Sequence, residues 1–367
     1  MASRPAPPLT AADVLLREKF LRVRYALTVL GLICLLLFIA TIGISVGAVG
    51  ISFRDVWTVI GLHILQRPSD AASLGATDII IWQIRTPRVV LGALVGGGLA
   101  VLGVAIQAMV RNPLADPYIL GVESGAAAGA VAVIFFGGVM GEGLVTPAVG
   151  AFVGAILTLI LVFTLARHHG RVSSLRLLLV GVSLSFALSG ITTFMQYATH
   201  NPSTQEAILF WLAGGLGGAE WSQVPLMAGV LAVGTAVIWY FARHLNALAL
   251  GDESAASLGM NPDRLRTFLF VILSLVVAVV VSIVGPIGFV GLVVPHVARL
   301  LVGAEHRRVI PVAVLLGATY LVGVDVLCRW LVAPNEIPVG VMTAILGTPF
   351  FIWLIRHREA MAMHDAR

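Results

Sequence analysis

Residues 88–110 read RVVLGALVGGGLAVLGVAIQAMV. After Arg88 the run carries no charge, and Gln107 is its one strongly polar side chain. A helix needs about 20 mostly apolar residues to cross a hydrocarbon core of about 30 Å. Gly and Ala recur along the run, the composition that lets membrane helices approach closely. The alternating ten-residue pattern of a membrane barrel is absent.

The rest of the chain agrees. Of 367 residues, 59% are hydrophobic and 11% charged, with a mean hydropathy of +1.00. An average soluble domain is about 25% charged, so so little charge cannot build a water-soluble shell. Disorder is excluded too, because it requires low hydrophobicity. The sequence predicts an all-α polytopic membrane protein of about ten transmembrane helices. The segments are 25–48, 88–110, 118–137, 145–166, 176–199, 223–243, 265–285, 287–303, 309–332 and 337–356. A ten-helix domain over 25–356 lies between an N-terminal arm, 1–24, and a tail, 357–367. Pro5, Pro7 and Pro8 predict a mobile start to the arm, over residues 1–20. The first apolar run is too long for a cleaved signal and lacks a small-residue cleavage site, so it reads as a retained helix.

The formal net charge is +5. Arg and Lys near span ends orient a membrane protein, so this excess reads as topology rather than nucleic-acid binding. Arg17, Lys19, Arg22 and Arg24, the loop with Arg167, Arg171 and Arg176, the loop with Arg243, Arg264 and Arg266, the pair Arg307 and Arg308, and Arg356, Arg358 and Arg367 all fall on one side of ten spans. That predicts a multi-pass protein of the cytoplasmic membrane with both termini cytoplasmic. Arg85, Arg88 and Arg329 break the pattern at the other side. They read either as snorkelling side chains or as a docking site for an acidic partner. Asp325 and Arg329 stand one helical turn apart, which also allows a structural pair.

Between spans, residues 246–266 (NALALGDESAASLGMNPDRLR) are too polar to cross a membrane. Gly251 and Gly259 bracket Asp252, Glu253, Ser254, Ala255, Ala256, Ser257 and Leu258, a short helix with capping residues at its start. Residues 111–125 (RNPLADPYILGVESG) hold two helix-breaking prolines and predict a tight cytoplasmic turn. Residues 285–299 (GPIGFVGLVVPHVAR) share that character. Backbone freed at membrane depth must be met by protein or by a water-lined cavity, so a pathway and a structural kink both remain open. Span five carries Ser183, Ser185, Ser189, Thr192, Thr193 and Gln196. These are either hydroxyls bonded to their own helix or a polar wall for a solute. Cys34 and Cys328 lack disulfide or metal spacing, no phosphate loop GxxxxGK[ST] occurs, and no catalytic triad is evident. An ion-coupled secondary transporter would need midplane carboxylates in broken helices, and the sequence has almost none.

Several motifs now line up: 82–88 (WQIRTPR), Gln107, 111–117 (RNPLADP), 120–121 (LG), 210–215 (FWLAGG), 250–255 (LGDESA), 285–292 (GPIGFVGL), Pro295-His296, Arg299, Asp325, Arg329, Pro334, Glu336, 338–340 (PVG) and 347–350 (GTPF). Together and in this order, across about 80–356, they resemble the FecCD-type permeases. These are the membrane subunits of type II ABC importers for iron-siderophores, haem and cobalamin. The resemblance implies the type II importer fold, with spans two to five and seven to ten as inverted halves. It implies a homodimer, two ABC ATPase subunits that carry ATP-Mg, an extracytoplasmic binding protein, and no cofactor or metal bound by this chain. Ferric siderophore is the first expected substrate, with haem or cobalamin as alternatives. Residue by residue, Gly251–Gly259 matches the coupling helix that docks in the ATPase. Arg85, Arg88 and Arg329 match positions that pair with glutamates of the binding protein. Asn112, Leu114, Ser174 and Leu175 match the cytoplasmic gate, with Ser185, Ser189 and Thr193 on the pathway. Glu123 departs from the usual Ser of the LGxSxGA run and reads as a mouth carboxylate or an ATPase contact.

Overall fold

The computed structural model describes residues 11–47, 49–140, 145–168, 171–172 and 174–365. In chain order its helices are α1 (Ala11–Ser45), α2 (Phe53–Ile64), α3 (Pro68–Ala72), α4 (Ala76–Asp78), α5 (Thr86–Val110), α6 (Val122–Met140), α7 (Pro147–Ala166), α8 (Ser174–Ala198), α9 (Pro202–Ala213), α10 (Val224–Tyr240), α11 (Ala242–Leu250), α12 (Asp252–Ser257), α13 (Pro262–Val284), α14 (Val290–Val302), α15 (His306–Leu331) and α16 (Val339–Asp365). A π-helical turn, Ile79–Arg85, leads into α5, and a 3-10 turn, Pro117–Leu120, leads into α6. Strands β1 (Arg167–His168) and β2 (Arg171–Val172) form a small antiparallel ladder between α7 and α8. The end carrying Gly251–Gly259 is the lower end, and the end carrying residues 49–87 is the upper end.

Each predicted span has a helix. Among the described residues, six helices are long and apolar enough to cross a membrane. The pair α10 and α11, bent by 56°, passes the same test when taken together. The other three predicted spans are shorter apolar helices, Val122–Gly137, Val290–Val302 and Val339–Trp353. At 1.5 Å per residue, a helix such as α14 falls short of the membrane thickness, so irregular backbone completes the crossing.

The segment 88–110 is the centre of the molecule. Of its apolar stretch 83% is buried inside the chain, against 17% for α8. Helix α5 packs on α15, α14 and α10. Its glycines explain the closeness. A Cβ on Gly96 would overlap the Gly317 carbonyl of α15, and one on Gly103 would overlap the Gly291 carbonyl of α14. Helices α6 and α7 meet the same way, through Gly125 against Gly154 and Gly129 against Gly150. Small residues at these crossings let dispersion and packing replace the hydrophobic effect, which is weak between helices in lipid.

Four expectations are corrected. The arm predicted over 1–24 is helical from Ala11, because α1 continues through it, and Arg24 Nη2 holds the Leu301 carbonyl at 2.6 Å; residues 1–10 lie outside the described set. The tail is likewise helical as far as Asp365. Residues 200–222, which the span boundaries leave as the outward loop between spans five and six, are not plain loop, since Asn201 caps α9 by accepting from Ser203 N at 3.0 Å. The turn over 111–117 does not stay at the lower end. A Cβ on Gly291 would touch both Pro117 and the Leu99 carbonyl. Leu99 lies about 16 Å along α5 from Val110, at 1.5 Å per residue. The chain therefore reverses at Arg111 and climbs back beside α5 before α6 begins.

Where α9, α13, α14 and α16 break, their backbones meet. Gly215 N donates to Val284 O at 2.8 Å, and Gly340 N to Gly214 O at 3.2 Å. Tyr118 Oη donates to Ile287 O at 3.2 Å and accepts from Ile287 N at 3.3 Å. Gln107 Nε2 donates to the Gly291 and Leu292 carbonyls, both at 3.2 Å. Of the two readings of 285–299, the kink is the one these bonds support: the freed backbone groups are met by protein.

Candidate functional site

At the lower end, α12 is a six-residue helix bracketed by two glycines. Gly251 has φ +122° and Gly259 φ +77°, regions that L side chains avoid. Asp252, the first helical residue, accepts from Arg266 twice, Nη1 to Oδ2 at 2.9 Å and Nη2 to Oδ1 at 2.5 Å. The same guanidinium donates through Nε to the Met109 carbonyl at 3.0 Å. That carbonyl is among the last of α5, which have no partner within the helix. Arg111 Nη2 stands 3.7 Å from Asp252 Oδ1. One buried arginine thus ties α12 to the lower tip of the central helix. Its hydrogen bonds, with the charges of Arg266 and Arg111, hold the Asp252 carboxyl below the usual carboxylate range.

The bracketed residues do not all face outward. Ala255 is fully buried, whereas Glu253, Ser254, Ala256 and Ser257 are exposed and Leu258 is 69% exposed. A partner at this end would meet that exposed set. In the sequence Arg266 counts only as a topological charge, and Arg111 only as the first residue of the 111–117 motif. Nothing in their spacing from Asp252 marks them as its partners, since the loop geometry creates the contact.

The gate positions are close to the same end. Arg111 ends α5 in the left-handed conformation, φ +54°. Asn112 Oδ1 accepts from Leu114 N at 2.9 Å, a local turn that leaves both side chains exposed. Leu175 is exposed in the first turn of α8. Ser174 opens that helix, and its side chain lies outside the described residues. Along α8, Ser183, Ser185 and Thr192 bond back to Leu179 O, Gly181 O and Leu188 O. Ser185 sits against Gly121, so it is a packing residue rather than an open pathway group. Ser189 and Thr193 are exposed, at helical spacing with the exposed Phe186 and Tyr197. Glu123 is half-buried in the first turn of α6, a favourable place for a carboxylate, and not a surface group at a mouth.

The upper arginines, expected as docking positions for a binding protein, are buried and bonded within the chain. Arg85, Arg88 and Arg329 are 6%, 7% and 5% exposed. Arg85 donates to the Ile44, Ser45 and Val49 carbonyls at 2.8, 2.8 and 2.6 Å. Arg329 donates to Gly43 O and Val46 O, both at 2.8 Å. These are the last carbonyls of α1 and the chain just beyond, where a helix end attracts cations. Asp325, 1% exposed, takes Arg88 on Oδ1 at 2.8 Å and Arg329 on Oδ2 at 3.0 Å. The structural pair foreseen between Asp325 and Arg329 is therefore present. Arg88 also reaches Glu336 at 2.8 Å. All three guanidinium groups are committed within the chain, and none is offered to the surface.

Against known proteins, the FecCD transport family model matches residues 34–357. The cobalamin import system permease of Halobacterium salinarum is 42% identical over 78% of this chain and 76% of its own length. The hemin transport system permease of Yersinia pestis is 38% identical over 90% of this chain and 96% of its own. A solved inward-facing transporter assigned to the metal-chelate ABC type superposes with a TM-score of 0.76 at 32% identity, covering 90% of this chain and 99% of that one. The apolar helices, the broken crossings and the motif loop agree with these matches, and the chain belongs to the FecCD transport family as a multi-pass membrane permease of the ABC importer kind.

Proposed function

We propose that this chain is the permease subunit through which an ABC importer moves a ferric siderophore across the cytoplasmic membrane. The observation that carries the reading is the bond of Arg266 to both Asp252 and the Met109 carbonyl. A movement imposed on α12 from outside reaches the lower tip of α5, and through Arg111 the exposed Asn112 and Leu114. Two ABC ATPase subunits would supply that movement, each seated on the exposed side chains of α12. ATP-Mg belongs to those subunits. The lower end is then cytoplasmic, with both termini. A second copy of the chain would face this one across α8, whose Phe186 and Tyr197 are 77% and 91% exposed. Ser189 and Thr193 would line the passage between the copies.

A binding protein would deliver substrate at the upper end. The buried arginines there shape that surface indirectly, by fixing α1 to α15, and the half-exposed Glu336 beside Arg88 is the part a partner can reach. The Bacillus subtilis iron(3+)-hydroxamate permease, 37% identical over 89% of this chain, supports the siderophore. The identity to the cobalamin permease supports a second reading, cobalamin.

The test is uptake by the chain with its co-encoded ATPase and binding protein in proteoliposomes. ATP-dependent entry of ferric hydroxamate, with no entry of cobalamin or haem, is the expected result. Entry of cobalamin alone replaces the substrate. Entry driven by an ion gradient without ATPase removes the importer reading.

A further inference from the structure

A groove of about 520 Å³ runs along the outside of the central helix, between α1, α5, α10 and α15. It is almost wholly apolar; Ala93, Gly97, Ala232, Ala236 and Val314 line it, and Trp239 closes its lower end. Elsewhere on α5 the small residues bring backbones into contact, as Gly96 does with Gly317. Here too Gly97 and Gly98 lie close to Val314 and Leu231, and the groove opens beside those contacts. On α10 the lining runs from Ala228 to Trp239. That is about 16 Å at 1.5 Å per residue, close to half of a core of about 30 Å. The groove is therefore as long as one leaflet.

Its mouth carries charge. The guanidinium of Arg307 lies over the Trp239 ring, 5.4 Å from the centroid. Arg307 is exposed at the first turn of α15, and Arg243, one turn beyond Trp239 in sequence, is exposed as well. The nearby Glu305 is within 3.8 Å of Arg308. Tryptophan in the last turn of a spanning helix marks the level of the lipid headgroups. An apolar slot one leaflet deep with an arginine stacked at headgroup level matches a single type of occupant.

We propose that this groove holds one acyl chain of an anionic phospholipid from the lower leaflet, with its phosphate at Arg307. The lipid then acts as a fitted part of the α5–α10 contact. Charge at the mouth selects an anionic headgroup over a zwitterionic one, because the phosphate of a zwitterion already has an internal cation beside it.

The test is native mass spectrometry of the full chain in detergent, titrated with palmitoyl-oleoyl phosphatidylglycerol or the matching phosphatidylcholine. One phosphatidylglycerol per chain should be retained, roughly tenfold better than phosphatidylcholine, the ratio set by about 1.4 kcal/mol from one charged contact. Arg307→Gln should bring that ratio near one without removing the lipid. Ala232→Phe should fill the slot and release it, and the melting temperature of each variant checks that it is folded. Equal retention of both lipids by the unaltered chain overturns the proposal. So does undiminished phosphatidylglycerol on folded Ala232→Phe, or a change there in oligomeric state instead of in lipid content, which would make the groove a protein interface.

Discussion

Two clusters of arginine and aspartate stand at opposite ends of this permease, and they use the same chemistry for opposite purposes. At the upper end Asp325 is sealed between Arg88 and Arg329, and Arg85 and Arg329 finish the end of α1. At the lower end Asp252 is half-exposed and joined to one buried arginine, which also holds the tip of α5. A sealed cluster has no cheap alternative arrangement, because water cannot replace a lost partner. A half-exposed one does, since solvent takes over the carboxylate as the arginine leaves. The upper cluster is fit to lock helices, and the lower one to let them move.

Removing the hub of the lock should produce the largest effect. Asp325→Asn keeps the size of the side chain but leaves Arg88 and Arg329 buried with no full counter-charge at that position. Breaking a buried pair costs about 3–5 kcal/mol, so a large drop in thermal midpoint in detergent, or loss of folded protein, is expected. An unchanged midpoint would mean that Glu336 and water carry the cluster, and the contrast between the two ends would collapse.

Next in size is a change in the close contact that the lock protects. Gly96→Val sets side-chain atoms against the Gly317 carbonyl. Overpacking of this sort costs about 1–3 kcal/mol. Gly137, whose added Cβ would meet nothing within 4 Å, is the control, and Gly137→Val there should not lower the midpoint as Gly96→Val does. Equal effects at the two glycines would show that α5 and α15 do not touch as described.

Smaller in stability, but decisive for coupling, is Arg266→Gln. It removes the fork to Asp252 and the bond to Met109 O, while Asp252 can turn to water. The melting temperature should move little, whereas substrate moved per ATP hydrolysed should fall several-fold with ATPase binding retained. Transport per ATP equal to that of the unaltered chain would remove Arg266 from the coupling route. Leu258→Glu provides the complement, since it alters the exposed side of α12 and should weaken ATPase binding itself.

How much of this was legible in the sequence divides along the same line. The ten apolar segments were readable because each carries its own signal, a run long or apolar enough to need the membrane. The bracketed loop was readable because two glycines and a capping aspartate act locally. The i, i+4 pairing of Asp325 and Arg329 was readable for the same reason. What could not be read depends on distant chain. Arg329 reaches carbonyls at and just beyond the end of α1 that lie 286 and 283 positions away. A rim cation and a buried helix cap look alike in sequence, since both are single arginines at the end of an apolar run. Helix α9 hid between spans five and six because its 12 residues are too short to cross a membrane and its first turns, PSTQE, are polar. The climb of 112–121 beside α5 hid because prolines announce a turn without saying where the chain goes next. Ala255 was placed correctly in its helix, but which side it faced depended on Arg266 pulling α12 against α5.

The smallest expected effect is the dependence of the lower joint on pH, and its sign follows from Asp252. The carboxyl is held below its ordinary value, chiefly by the hydrogen bonds from Arg266. A depressed carboxylate adds stability that is fully present above the unfolded value of about 3.9 and is lost as pH falls through the lower folded value. Nothing should therefore happen to this joint between pH 8 and pH 5. Amide protection over residues 252–259, taken relative to the intrinsic exchange rate at each pH, should stay constant across that range and fall only in acid below the ordinary carboxylate range. In Asp252→Asn the acid step should vanish, and protection should be lower than in the unaltered chain above the step and equal to it below. Because Asp252 is half-exposed, solvent screening keeps the effect modest, so exchange rates report it better than a melting temperature does. A fall in protection already near pH 6 would point to another group as the titrating latch. An acid step that persists in Asp252→Asn would separate the joint from this carboxylate altogether, leaving Arg266 to hold α5 by its Met109 bond alone.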